Sequence, residues 1–126
     1  MKREIKFRAC LKNSSEIYEV MSFCKEYVKV YTDITEKGYT KLSIDNFEPL
    51  MQFTGLKDKN GKEIYEGDIL KNTTGKIDQV IWMENGFYGS SKHFSNKNVK
   101  IFNPLCKDYL ANKEVSGNIY ENPELV

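Results

Sequence analysis

The chain has 126 residues, 40% apolar and 29% charged, with a net charge of +1 from 19 Lys and Arg against 18 Asp and Glu. That length is one domain with room for a real core, and the near-neutral balance excludes a whole-surface electrostatic grip on DNA or RNA. Cys10, Cys24 and Cys106, an odd set without short paired spacing, exclude a disulfide framework and a zinc site, leaving reduced thiols in a cytosol.

The elements follow in chain order. Ile5 to Leu11 alternates apolar with polar in its first half and predicts a strand, and Asn13-Ser14-Ser15 a turn. Ile17–Phe23 reads as a second strand, a hairpin partner of the first. Tyr27–Thr32, rich in β-branched and aromatic residues, reads as a third. Glu36-Lys37-Gly38 turns the chain, and Ser43–Pro49 has room for one helical turn before the proline stops it. Pro49–Thr54 predicts a strand with Leu50 on the face opposite Met51 and Phe53.

Thr54 to Leu70 holds the densest set of turn signals. Asp58-Lys59-Asn60-Gly61 has the residues of a reverse turn. Glu66-Gly67-Asp68 makes another, flanked by Ile64-Tyr65 and Asp68–Lys71. Asn72–Gly75 is a loop. Lys76–Met83 is the strongest central strand, and Glu84-Asn85-Gly86 returns it into Phe87-Tyr88-Gly89. Ser90–Asn98 reads as a polar loop and Val99–Phe102 as a short strand. Asn103–Asn112 is the best helical stretch, and Val115–Tyr120 returns to strand. Short strands cut by glycine turns predict a mainly β fold. Its second half, from about residue 49 to 126, reads as a small, partly closed barrel; residues 1–48 read as an N-terminal antiparallel strand layer, with at most short helices.

No catalytic set emerges. His93 is the lone histidine and lies in a polar stretch, where an ordinary exposed histidine is the commoner state than a general base. Glu63, Glu66 and Asp68 crowd near turns, where carboxylates usually satisfy turn amides rather than hold Mg²⁺. There is no phosphate loop of either common pattern. Lys2, Arg3, Lys6 and Arg8 form a basic strip, with Lys2, Lys6 and Arg8 on one strand face; a solvated face accounts for the same residues. Trp82, Phe87 and Tyr88, with Lys76 and Lys92, could stack bases. A core role for Trp82 and one of its two aromatic neighbours is the commoner outcome. Tyrosine-rich strands with open edges equally suit a protein interface.

Three blocks carry a family resemblance: Arg3–Ala9; Met51–Ile69, which contains Gly55, Asp58, Asn60, Gly61, Glu66, Gly67 and Asp68; and Gly117–Leu125, which contains Asn118, Tyr120, Asn122 and Pro123. Together they resemble the YopX family of small phage and prophage proteins, over the whole chain. One departure is Cys10, where the family commonly has tryptophan; if that position is core, a neighbour must fill the space. The resemblance implies a β-rich protein whose second half is similar to an SH3-like barrel, working in the cytoplasm of a bacterial host. It brings no activity, cofactor or catalytic residue.

The leading expectation is therefore a non-enzymatic accessory or regulatory factor, with no cofactor, metal or membrane attachment. It would act through protein contacts and could self-associate. The alternative is a nucleic-acid-binding protein using Lys2, Arg3, Lys6, Arg8, Lys71 and Lys76 beside barrel aromatics. An anti-defence protein that binds a host immune protein or a nucleotide signal is a further alternative, and a metal-dependent hydrolase on Glu63, Glu66 and Asp68 a fourth.

Overall fold

A computed structural model describes residues 4–126 and divides into two compact units, the first ending at Gln52 and the second running Phe53–Val126. The fold is mainly β, in antiparallel sheets with almost no helix. The first unit holds β1 (Phe7–Cys10), β2 (Ile17–Phe23), β3 (Tyr27–Tyr31), β4 (Tyr39–Ser43), a 3₁₀ turn at Ile44–Asn46 and the start of β5 (Met51–Lys57). Its strand order is β4-β3-β2-β1-β5. Each of the first four strands pairs with its sequence neighbour, so short turns suffice to connect them.

Alternation sets which face of this sheet is core. Val28 and Val30 point inward with Ala9 and Phe47, and Tyr18, Val20, Leu42, Ile44 and Leu50 pack around them. Complete burial of such aliphatic side chains contributes roughly 1.5–3 kcal/mol each. Cys10 is fully buried, with its thiol donating to the Ser14 carbonyl at 3.4 Å. Position 10 is therefore a core position, filled here by a small side chain. A bulge between Val20 and Ser22 shifts the β2–β3 register. Strand β4 corrects the sequence reading, which passed from the Gly38 turn toward a helical turn without a strand. Its five residues pair in full register with β3, from Tyr27↔Ser43 to Tyr31↔Tyr39.

In the second unit the rest of β5 pairs with β6 (Glu63–Tyr65). There follow β7 (Asp68–Lys71), β8 (Ile77–Met83), β9 (Gly86–Lys92), β10 (Lys100–Pro104), α1 (Lys107–Leu110) and β11 (Glu114–Asn118). These last five strands form a sheet in the order β10-β9-β8-β7-β11, with β8 at its centre. Ile64, Leu70, Val80 and Leu110 make the core, with Leu56, Phe87, Leu105, Tyr109 and Val115 against it.

Two further readings need correction here. Ser90–Lys92 is not loop; it continues β9 and pairs with both β8 and β10, so only residues 93–99 are irregular. The helix expected over Asn103–Asn112 is a single turn, because Asn103 and Pro104 belong to β10, where Pro104 needs no ladder donor at the strand's end.

Candidate functional site

The middle and end sequence blocks meet in the second unit. Asp58 is buried at the mouth of its turn: Oδ1 accepts the N–H groups of Asn60 (2.8 Å) and Lys62 (2.9 Å), and Oδ2 accepts that of Val115 (2.8 Å). Burial acts to raise its pKa, but the three N–H donors and the Lys62 charge outweigh it and hold the carboxyl below its ordinary value. Gly61 carries the turn's positive φ of 82° and donates to the Asp58 carbonyl. Gly55 has a positive φ of 86° in the irregular stretch of the β5–β6 pairing.

At the second turn, Asp68 Oδ2 accepts the Tyr65 N–H at 2.7 Å, across Glu66 and Gly67. The Gly67 carbonyl accepts the Ile119 N–H at 2.9 Å, and Asp68 stands opposite Asn118 in the β7–β11 register. Asn118 Oδ1 caps the next turn by accepting the N–H groups of Tyr120 (3.0 Å) and Glu121 (2.9 Å). Asn122 closes it from the other side, its Oδ1 accepting the Asn118 N–H at 3.3 Å, and Pro123 then opens a final 3₁₀ turn. Four of these signature residues, Asp58, Asp68, Asn118 and Asn122, satisfy turn amides through their side chains, as their types suggest.

The interior also holds a polar group that sequence reasoning missed. The Tyr109 hydroxyl donates to Asp78 Oδ2 in a short hydrogen bond. Burial, reinforced by the Asp78 carboxylate, pushes the Tyr109 hydroxyl far above its ordinary pKa. Gly89 makes room: a Cβ there would lie 2.7 Å from Tyr109 Cζ. Lys113 Nζ sits 4.5 Å from the centre of the same ring. Position-by-position signal for this group was absent, because Asp78, Gly89 and Tyr109 lie on separate elements.

The candidate nucleic-acid residues divide between the two units. Lys2 and Arg3 lie outside the described residues. Lys6 pairs with Glu4 at 3.2 Å, and the Arg8 guanidinium lies 3.6 Å from the Met51 sulfur, both within the first unit. Lys71 ends β7 opposite Glu114, and Lys76 precedes β8, both in the second. The aromatics of β8 and β9 divide by face. Val80↔Gly89 and Trp82↔Phe87 share one face by alternation, whereas Gln79↔Ser90 and Ile81↔Tyr88 share the other. Trp82 is not core: it is 48% exposed at the end of β8, edge-on to Phe87 at 4.9 Å, while Phe87 packs inward. His93 is partly buried and bonded to Ser95. Among the described residues no three His, Cys, Asp or Glu side chains gather to hold a metal, so Glu63, Glu66 and Asp68 do not converge.

Two surfaces remain. On the outward face of hairpin β3–β4, Tyr27, Lys29 and Tyr31 stand opposite Ser43, Lys41 and Tyr39. Lys41 Nζ lies 4.1 Å from the Tyr27 ring centre and Lys29 Nζ 5.2 Å from that of Tyr39. Tyr27 and Tyr31 are nearly half exposed, and β4 is the last strand of its sheet. In the second unit, Lys76, Lys92 and Lys100 line a cavity of about 360 Å³ with Gln79, Ser90 and Ser91.

A model of the family described as YopX protein matches residues 6–126. Among solved structures, the chain is similar to the crystal structure of protein EF1440 from Enterococcus faecalis, at 26% identity and a TM-score of 0.70, over 98% of this chain and 99% of that one. No curated protein matches the chain.

Proposed function

The chain belongs to the YopX family, and from that premise we propose that it is a non-enzymatic, phage- or prophage-encoded accessory factor that grips a protein partner through hairpin β3–β4. The observation that carries this is the alternation of Tyr27, Lys29 and Tyr31 against Tyr39 and Lys41 on one outward face. Tyrosines give large contact area at low entropic cost, and the lysines select an acidic partner surface. Strand β4, paired on one side by β3, offers backbone groups for an added strand. No described helix is long and apolar enough to cross a membrane, which suits action in the host cytoplasm.

The second unit is an SH3-like, partly closed barrel in this reading. Its support is the strand order: β7, the first strand of the five, lies between β8 and β11, and one helical turn precedes the last strand. A second function, nucleic-acid binding, is favoured by one observation, the gathering of Lys76, Lys92 and Lys100 about a single cavity.

The test is capture of partners from host lysate by the tagged protein, with and without nuclease, beside a Tyr27→Ala/Tyr31→Ala variant. A nuclease-resistant partner lost in the folded variant is expected. Partners that vanish with nuclease would replace this reading with the nucleic-acid one.

A further inference from the structure

Given the reading of hairpin β3–β4 as the partner-binding surface, on which this rests, we propose what the hairpin grips: an extended acidic segment that adds as a strand to the free edge of β4, with a carboxylate set against Lys41. The ladder decides which backbone groups are open. The Thr32 N–H donates to the Gly38 carbonyl at 3.0 Å and the Ile44 N–H to the Glu26 carbonyl at 2.8 Å, so the even-numbered residues of β4 bond to β3. Tyr39, Lys41 and Ser43 therefore turn their N–H and C=O groups away from β3. Two of these outward carbonyls are already engaged: Thr35 Oγ1 donates to that of Tyr39 at 2.7 Å, and Asn46 Nδ2 to that of Ser43 at 3.2 Å. Of the three residues, only Lys41, at the middle of the strand, keeps both its N–H and its carbonyl open among the described residues.

The side chains at the same position select a carboxylate. Lys29 and Lys41 stand directly opposite each other in a pair that exchanges no ladder hydrogen bond, the closer of the two antiparallel spacings. Like charges so placed repel, and neither lysine has a carboxylate partner among the described residues. Each lies instead over a ring, Lys41 over Tyr27 and Lys29 over Tyr39. Along this surface Lys29, Lys37 and Lys41 line a recess that holds one acidic residue, Glu36. A carboxylate facing Lys41 supplies the missing counter-charge while the backbone of its own residue exchanges two hydrogen bonds with Lys41. The residues on either side of it fall beside Thr40 and Leu42, on the core face. Leu42 packs on the cluster of Val28 and Val30 yet is only partly buried, so apolar side chains there extend the core. The segment recognised is thus an acidic residue between two apolar ones. A second copy of this chain is a poor occupant, because symmetric pairing about the open position sets Lys41 against Lys41.

The experiment selects a displayed library of short random peptides on the immobilised full chain and measures the enriched peptide by fluorescence polarisation. The expected result is enrichment of Asp or Glu between apolar residues, with Kd below about 1 mM. Lys41→Glu should exchange the selected acid for Lys or Arg. Lys41→Ala removes the charge and keeps the open N–H; Lys41→Pro removes both and leaves the bonds to β3 intact. The proline variant should therefore bind the acidic peptide at least about tenfold more weakly than the alanine one, with unfolding midpoints checked in parallel. If the proline variant does not fold, the charge exchange in Lys41→Glu decides. No enrichment, or an acidic peptide bound equally by Lys41→Glu, would overturn the proposal. So would self-association of the unmodified chain that Lys41→Pro abolishes, which would make a second copy the occupant. A host partner lost with Tyr27→Ala/Tyr31→Ala but kept by Lys41→Glu would overturn strand addition and leave the hairpin reading standing; a partner kept by both variants would remove the hairpin reading itself.

Discussion

The Asp58 carboxylate accepts the Val115 N–H at 2.8 Å across a separation of 57 residues. One side chain thus closes its own turn and ties that turn to β11, the last strand of the five-stranded sheet. Replacing Asp58 by Asn puts an NH₂ donor where only N–H groups arrive. Urea unfolding should show a loss of about 1–3 kcal/mol, and Asp58→Ala at least as much. An unchanged midpoint in both variants would remove Asp58 from the fold's anchors.

The same carboxylate gives an acid-side pH dependence. Its folded pKa lies below the ordinary value, so the unfolded state takes up the proton first as pH falls. Its stabilisation is full above about pH 4, the unfolded carboxyl's range, and is lost as pH drops through the lower folded value. Stability measured from pH 7 down to 2 should therefore fall less steeply for Asp58→Asn than for the unmodified chain.

Tyr109 behaves in the opposite sense. Its folded hydroxyl ionises far above the ordinary tyrosine value, because burial and the Asp78 carboxylate both disfavour the phenolate. The stabilisation is complete below the unfolded value of about 10 and declines as pH rises beyond it. Tyr109→Phe should lose about 1–3 kcal/mol at neutral pH by stranding Asp78. It should also flatten the alkaline decline, as read by denaturant unfolding from pH 8 to 11.

Gly89 is held glycine by that same tyrosine, since Tyr109 Cζ would stand 2.7 Å from a new Cβ. Gly89→Ala is expected to cost about 1–3 kcal/mol by overpacking. In a Tyr109→Leu background the cost should shrink, and a double-mutant cycle reads the coupling directly. Additive effects would show that the two positions do not compete for space.

Gly117 combines a φ of 152° with a Cβ site 2.7 Å from Asn122 Cγ. Alanine there should destabilise by about 1–3 kcal/mol and release the Asn118–Asn122 turn. Hydrogen exchange at Asn118 and Asn122, both donors in that turn, would speed up in step.

Much of this fold was legible where local chemistry decides it. Ile17–Phe23 and Asp68–Lys71 alternate or cluster clearly between turn residues, and both are strands over those same bounds. Asp58 and Gly61 were legible as turn residues because Asp and Gly satisfy or relax turn backbones locally. Strand β4 was not, since Tyr39-Thr40-Lys41-Leu42-Ser43 has few strong apolar markers and gains its conformation from pairing with β3. The Asn103–Asn112 helix failed because β10 claims its first two residues for the sheet. The lysine cavity was half visible: Lys76 and Lys92 were candidates, but only the β9–β10 register brings Lys100 to them.

The placement of β7 between β8 and β11 has a consequence for synthesis on the ribosome. In the first unit, β1 to β4 form successive hairpins that can assemble as each strand emerges. Strand β7, by contrast, has one edge covered by β8 early, while its other edge waits for Asn118 and its neighbours to be made. During that interval the nascent chain carries an uncapped Asp68–Lys71 edge beside apolar Ile69 and Leu70. A ribosome pause before codon 114 should therefore prolong the period in which the chain is most open to aggregation or to capture by a chaperone.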